Sequence, residues 1–162
     1  MGKMKEGAKA GIIAGTIYAI IGAAVTATLE YAFKSGIMRV INLKISSATT
    51  ANINALYDIT VAGSVVVAVV FGIIAGLVLG LIFGAVSDRI PGKRLIVKGL
   101  LFGFMFWLIL HVLADLLNLQ YGETFYFIDI GLGLATTLLY GALLGMFFER
   151  RMKRLAPPVL NR

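Results

Sequence analysis

The sequence predicts an all-α integral membrane protein whose four transmembrane helices form two tandem helical hairpins of the same, parallel orientation. The first observation is composition: 59% of the 162 residues are hydrophobic and only 14% are charged, against about a quarter charged in a typical soluble domain. The second is that the charged residues leave four long gaps along the chain. The third is that two glycine motifs each occur twice, in the same order.

Three of the four uncharged stretches reach the length at which a helix crosses a bilayer, about 20 apolar residues. The third stretch, 99–114, is somewhat short, and becomes long enough if Lys98 and Asp115 reach toward the two interfaces. The first is too long and too rich in glycine for the core of a signal peptide, so we expect it to be retained as a helix. The predicted spans are 7–33, 59–87, 95–117 and 125–151.

Basic residues are concentrated on one side of this predicted bundle. The N-terminal segment, the connection between the second and third spans and the C-terminal tail carry 12 of the 15 Lys and Arg residues. The positive-inside rule therefore predicts a protein of the cell (inner or plasma) membrane with both termini in the cytoplasm. The basic tail, 152–162, is predicted to meet anionic lipid at the cytoplasmic face. Because the basic residues follow the ends of apolar spans, the net charge of +7 does not indicate a nucleic-acid partner.

Repeated motifs indicate an internal duplication. The second and fourth spans share the pattern G-x3-G-x3-acid-Arg, which begins at Gly80 and again at Gly141. The first and third spans each carry two glycines four residues apart, after a lysine, beginning at Gly11 and at Gly99. Aligning the motifs gives offsets of 61 residues for the trailing helices and 88 for the leading helices. The alternative is that apolar, glycine-rich helices resemble one another by composition alone.

The duplication predicts a single domain, 1–162, made of hairpin one (7–87) and hairpin two (95–151). Hairpin one is longer because the first outer loop carries an insertion, 34–60. Within the insertion, apolar residues such as Ile37 and Ile41 are interleaved with polar ones, which predicts a short interfacial helix on the outer leaflet. The polar stretch 46–54 is predicted to be a connector, with a cap over the outer mouth as the alternative.

Small residues recur every four positions in the spans, so they lie along one helix face. Lipid gives helices no hydrophobic reason to associate, and small residues instead let helix backbones pack closely. We predict that the glycines hold the four helices together; a pore lined by backbone and a self-assembling glycine zipper are the alternatives. The glycines concerned are Gly11, Gly15, Gly72, Gly76, Gly80, Gly84, Gly99, Gly103, Gly141 and Gly145.

Five ionisable residues are predicted to lie near the outer ends of the spans: His111, Asp115, Glu30, Asp58 and Asp129. His111 and Asp115 are four residues apart, on one helix face. Such a pair can hold a metal ion, or the carboxylate can orient the imidazole and favour its charged form. Together the five form a candidate outer site for a cation or a proton. The alternative is that carboxylates at helix ends simply meet water. No particular metal can be assigned, and the sequence predicts no catalytic residue and no cofactor.

Two stretches resemble known families. Gly84-x3-Asp88-Arg89-Ile90-Pro91-Gly92-Lys93-Arg94 is similar to the cytoplasmic loop signature of major facilitator transporters. We interpret it as convergence on a tight basic loop, because four helices cannot make that twelve-helix fold. The order Arg89-Ile90-Pro91, then Lys98 to Gly103, then His111 resembles the YagU-like small inner-membrane proteins. That resemblance is confined to the second half of the chain, and it implies a topology with a long first outer loop.

Three classes of function compete. The glycine spacing, the small size and the lack of charge within the spans favour a non-catalytic packing or accessory subunit of a membrane assembly, which we predict. Its partner would be a second copy of the chain or another membrane protein. The tandem hairpins and outer carboxylates favour a small oligomeric channel or transporter for a cation, a proton or a small solute. The third class, a membrane enzyme using His111, lacks a paired catalytic motif.

Overall fold

The computed structural model describes residues 2–45, 52–113 and 119–155, and nearly all of them are helical. The predicted all-α fold is confirmed. After α4, six residues continue the helix with π-helical geometry, Leu108–Leu113. The helices are α1 (Gly2–Ala32), α2 (Lys34–Ile45), α3 (Ile53–Val86), α4 (Leu95–Trp107) and α5 (Glu123–Leu155).

Three of the helices, α1, α3 and α5, are long and apolar enough to cross a membrane. The apolar helix Leu95–Leu110, which contains α4, is shorter than these three. The part of the chain that the structure describes is therefore consistent with a helical membrane protein that has three helices of membrane-spanning length.

The long helices extend beyond the predicted spans. We predicted that the second span begins at residue 59, whereas α3 begins at Ile53. The side chain of Asn52 caps this helix, accepting a hydrogen bond from the backbone N–H of Asn54 at 3.0 Å. Because a capped helix continues into water, the edge of an apolar run does not mark the end of the helix.

The helices pack side by side in the order α3, α1, α5, α4. The most extensive contact joins α1 and α3, the next joins α4 and α5, and the third joins α1 and α5. The two halves predicted as hairpins are thus each closely packed, and α1 and α5 bring them together. By contrast, α3 and α4 make no contact of comparable extent.

The core between the two halves combines small and aromatic side chains. Ala10 and Ala14 of α1 are fully buried against residues of α5 such as Leu144. The ring of Phe83 in α3 meets Phe148 edge to face, with ring centroids 5.5 Å apart. The core residues are Ala10, Ala14, Phe83, Tyr140, Leu144 and Phe148.

A helix, α2, forms in the insertion that we predicted in the first outer loop. Its residue Ile37 is buried against Tyr57 and Val61 of α3, in a cluster separate from the main core. The ammonium group of Lys34 lies over the Tyr57 ring, 4.7 Å from its centroid. The insertion is therefore partly an ordered helix docked on α3; residues 46–51 of the predicted connector lie outside the described residues.

Candidate functional site

Glycines bring the backbones of α1 and α3 into direct contact. Gly15 lies so close to α3 that an added Cβ would stand 2.7 Å from the Cα of Gly76. An added Cβ at Gly76 would likewise stand 2.6 Å from the Cα of Gly15. No side chain fits at such positions without moving a backbone. The residues of this contact are Gly7, Gly11 and Gly15 on α1, and Gly72, Gly76, Gly80 and Gly84 on α3.

A shorter contact of the same kind joins α4 and α5. Gly99 lies against Gly141 and Gly145, and Gly103 lies against Thr137 and Gly141. One turn further along the same face of α4 stands Trp107 instead of a third glycine. Its indole N–H donates a hydrogen bond to the backbone oxygen of Ile130 on α5, at 3.0 Å. Glycines therefore join the half of this helix pair that lies near the start of α4, and a tryptophan spaces the other half.

The glycine contacts of the two hairpins correspond residue by residue. The leading helices match at an offset of 92 residues (Gly7 to Gly99), and the trailing helices match at 61 (Gly80 to Gly141). The sequence motifs predicted 88 for the leading helices, so the contacts revise that register by four residues, about one turn. The corresponding pairs are Gly7 with Gly99, Gly11 with Gly103, Gly76 with Thr137, Gly80 with Gly141 and Gly84 with Gly145.

Ionic contacts tie the helix ends together at the end of the bundle that carries the N-terminus. The Lys3 ammonium donates to the Asp88 carboxylate at 2.6 Å. This hydrogen bond holds the pKa of Asp88 below its ordinary value. Glu6 accepts from Lys9 at 3.0 Å and from Arg151 of α5 at 3.3 Å. These pairs link α1 to the loop after α3 and to the end of α5.

At the opposite end, the predicted outer residue Glu30 has a side-chain partner on α3. The hydroxyl of Ser64 on α3 lies 2.7 Å from its carboxylate and 2.8 Å from the backbone oxygen of Val61. The hydroxyl of Tyr57 donates to the backbone oxygen of Glu30 at 3.0 Å. Ser64 has one hydroxyl proton, so it donates to Glu30 when that carboxylate is charged and is free to donate to Val61 when Glu30 is protonated.

The other predicted outer residues are distributed differently. Asp58 is exposed and Asp129 is partly buried. The backbone of His111 lies in the π-helical segment, while its side chain and all of Asp115 fall outside the described parts of the structure. Among the residues that are described, no three His, Cys, Asp or Glu side chains come together in a way that could hold a metal ion.

The sequence did not identify the partners of Glu30 and of the π-helical segment. The glycine spacing could have identified Ser64 as the partner of Glu30. The antiparallel register that sets Gly15 against Gly76 also brings Glu30 within about one turn of Ser64. No such signal exists for the π-helical segment. There the hydroxyl of Tyr126 on α5 lies 3.4 Å from the backbone oxygen of Val112, which it helps to satisfy.

Comparison with known proteins gives a family and no activity. No curated protein and no solved structure matches the chain. The resemblance to the YagU-like proteins stays a prediction, since nothing in the comparisons links the chain to them. A family model described as a family of unknown function (DUF6789) matches residues 1–158. The chain therefore belongs to that family.

Proposed function

We propose that the protein crosses the cell membrane four times, with both termini in the cytoplasm. The packing of α4 on α5 supports the fourth span. Their contacts run from Leu95, beside Gly145, to Val112, beside Tyr126. The α-helical part, from Leu95 to Trp107, covers about 18 Å, and the π-helical residues that follow extend it toward the roughly 30 Å of a bilayer core. The basic residues at the N-terminus, between α3 and α4 and at the C-terminus support the orientation.

Within the membrane, we propose that the chain is a non-catalytic packing or accessory subunit of a membrane assembly. The observation that carries this proposal is the polarity of the interior. In the described part of the chain, the fully buried side chains that carry a polar group carry hydroxyls: Ser87, Thr137, Tyr57 and Tyr140. The Thr137 hydroxyl bonds back to the backbone oxygen of Gly133 in its own helix at 2.7 Å. Hydroxyls alone offer no charged group for catalysis, and the repeated glycine contacts would act as zippers within each hairpin.

A face of α3 supports an assembly partner. The side of α3 away from its glycines exposes large apolar residues over several turns, beginning at Val66 and reaching Val78. In our proposal a second subunit covers part of this face, either another copy of the chain or another membrane protein, and lipid covers the rest. The exposed residues concerned are Val66, Val67, Val70, Phe71, Ile74, Leu77 and Val78.

The test is native mass spectrometry of the protein extracted gently from its own membranes. We expect the protein to carry a partner in fixed stoichiometry. The variant Val70→Trp, on the proposed face of α3, should lose this partner. The control variant Leu139→Trp, at an exposed position of α5, should retain it. A different membrane protein as partner would support an accessory subunit, and a homo-oligomer a self-packing one. A protein that emerges only as a monomer, or a Val70→Trp variant that keeps its partner, would contradict the proposal.

A second candidate is a channel or transporter, which the partly buried Glu30 favours. Its carboxylate lies between α1 and α3 beside a serine hydroxyl that can follow its protonation. This candidate predicts that Glu30→Gln abolishes proton or potassium flux into liposomes, while Asp58→Asn, at an exposed carboxylate, leaves flux unchanged. His111→Ala and Asp115→Asn extend the test to the rest of the predicted outer site. Normal flux in Glu30→Gln, His111→Ala and Asp115→Asn would exclude transport through that site.

A further inference from the structure

An apolar cleft of about 580 Å³ separates α3 from α4. Leu79 and Ile82 line its α3 side, and Phe102, Met105 and Phe106 line its α4 side. The loop between the two helices closes one end. There Arg89 lines the cleft, and among the described residues that line it Arg89 is the polar one. The site therefore combines a long apolar wall with one cation at its end.

The cleft follows from a difference between the two hairpins. In the register of the glycine contacts, Ala10 and Ala14 of α1 correspond to Phe102 and Phe106 of α4. The two alanines have no exposed surface, and they let α1 pack closely on α5. The matching pair of helices, α4 and α3, carries two phenylalanines instead. The ring of Phe102 meets that of Phe83 with centroids 5.4 Å apart, so side chains hold these two helices apart.

The charges at the closed end of the cleft are not neutralised by the protein. Arg89, Lys93 and Arg94 lie in the loop between α3 and α4, all exposed. Within the described residues none of the three forms an ion pair, although Asp88 stands beside them. The Asp88 carboxylate is taken by Lys3 of α1. One basic side chain that lines the cleft, Arg89, with two more in the same loop, is complementary to a molecule with an anionic head and an apolar tail.

We propose that this cleft binds one anionic phospholipid of the cytoplasmic leaflet. An acyl chain lies between α3 and α4, and the phosphate group meets Arg89, with Lys93 and Arg94 adding to the local positive charge. The assignment to the cytoplasmic leaflet rests on the proposed function, which places both termini in the cytoplasm. The binding of the lipid to the cleft does not depend on that orientation. The charge of the loop favours a lipid over a second copy of this chain, whose corresponding end is also basic.

The headgroup contact is tested by native mass spectrometry of the full chain in detergent. The protein is titrated with phosphatidylglycerol and, separately, with phosphatidylcholine carrying the same acyl chains. We expect one phosphatidylglycerol per chain, held more tightly than phosphatidylcholine, and about fivefold weaker binding in Arg89→Gln. The matched control is Arg150→Gln, at the corresponding exposed position of hairpin two, which does not line the cleft. Its affinity should equal that of the unmodified protein.

The apolar wall is tested by filling it. Ile82→Trp places an indole in the cleft, and Ile20→Trp makes the same change on α1, at an exposed position outside both the cleft and the proposed partner face. Ile82→Trp should lose phosphatidylglycerol, and Ile20→Trp should retain it. Equal thermal unfolding temperatures would establish that both variants are folded; should Ile82→Trp unfold, Met105→Trp replaces it as the variant that fills the cleft.

Three results would overturn the proposal. The first is unchanged phosphatidylglycerol binding in both Arg89→Gln and the cleft-filling variant. The second is an equal loss of binding in Arg150→Gln. The third concerns a Met105→Cys variant, which has a single cysteine because the natural chain has none. The proposal fails if this variant forms a disulfide-linked dimer in membranes and binds no lipid. Labelling of Lys93→Cys from outside the cell would refute the orientation alone, because Arg89→Gln would still weaken lipid binding in detergent.

Discussion

At the scale of single residues, a tight constraint is the backbone contact between Gly76 and its neighbours on α1. An added Cβ at Gly76 would stand 2.6 Å from the backbone oxygen of Gly11 and 2.6 Å from the Cα of Gly15. These are backbone atoms of a helix, so they cannot turn aside as the end of a flexible side chain can. Even a methyl group must therefore separate the two helices.

This contact predicts that Gly76→Ala lowers the free energy of unfolding by about 1–3 kcal/mol, the usual cost of overpacking. Gly63 provides a matched control on the same helix, since an added Cβ there meets nothing within 4 Å. Gly63→Ala should leave stability unchanged or slightly raised. Equilibrium unfolding in a mixed-detergent titration measures both variants. Equal stability of the two variants would refute the account of glycine packing.

The ion pair between Lys3 and Asp88 gives a prediction about pH. The hydrogen bond from Lys3 lowers the pKa of Asp88 in the folded protein, so folding favours the charged carboxylate. The resulting stabilisation is present above the ordinary pKa of an aspartate and is lost as the pH falls through the lowered value. Lys3→Met should raise the pKa of Asp88 toward its ordinary value, as measured by carboxyl ¹³C NMR. Lys153→Met, which removes the partner of Glu149, should leave that pKa unchanged.

The positions of single residues on a helix face could be predicted where the residues recur at a regular spacing in the sequence. The four-residue repeat places glycines on one face of each helix, and that face is where α1 and α3 touch. The same repeat places Trp107 on the glycine face of α4. It could not indicate the bond from Trp107 to Ile130, because periodicity along one helix carries no information about the atoms of its neighbour.

At the scale of the elements, the existence of the long helices could be predicted and their ends could not. Uncharged runs locate α1, α3 and α5, but each helix continues past its run into polar residues. Capping by Asn52 and the burial of Tyr57 under α2 extend α3 by about two turns before the predicted start. The cap is a local hydrogen bond and the burial of Tyr57 is a tertiary contact, and hydropathy reports neither.

The end of α4 and the π-helical segment that follows it depart most from the expected geometry. Regular α-helix ends at Trp107 and π-helical geometry follows to Leu113. A π-helical turn leaves backbone groups poorly bonded and is often found at functional positions. Hydrogen bonds from Trp107 and Tyr126 bind this part of the chain to α5. A wide residue in place of a third glycine prevents the close approach that joins the two helices near the start of α4.

We therefore predict that Trp107→Phe loosens the end of α4 and the π-helical segment alone. The lost interhelical hydrogen bond is worth about 0.6 kcal/mol in a membrane protein. Hydrogen–deuterium exchange should quicken in a peptide covering 104–113, and exchange in the glycine contact of α1 and α3 should stay unchanged as an internal control. Uniformly faster exchange across the molecule would mean that Trp107 supports the whole fold, contrary to this account.

At the scale of the whole molecule, the repeat of the contacts is more regular than the repeat of the sequence. Gly7, Gly11 and Gly84 have contact partners that recur in hairpin two at the same offsets. Motif alignment placed the leading helices one turn away from this register, because it matched glycines to glycines without knowing which glycines touch. The order in which the helices pack could not be predicted either. An apolar residue suits a helix face that contacts another helix as well as one that contacts a lipid tail, so the sequence does not distinguish the two.

The pairs of corresponding helices also explain why the molecule is open on one side. Alanines close the contact between α1 and α5, and phenylalanines at the corresponding positions leave the cleft between α4 and α3. The two hairpins, whose glycine contacts correspond, thus leave one tight interface and one cleft, which we propose binds a lipid. This asymmetry rests on Ala10, Ala14, Phe102 and Phe106, whose sizes are visible in the sequence once the contact register is known.

The central claim is that four spans place both termini and the loop between α3 and α4 in the cytoplasm. Because the natural chain has no cysteine, single cysteines can be labelled with a membrane-impermeant maleimide in intact cells. We predict that Asn42→Cys and Glu123→Cys are labelled from outside, whereas Lys5→Cys and Lys93→Cys are labelled only after the membrane is permeabilised. Labelling of Lys93→Cys in intact cells, or protection of Glu123→Cys, would contradict the four-span topology.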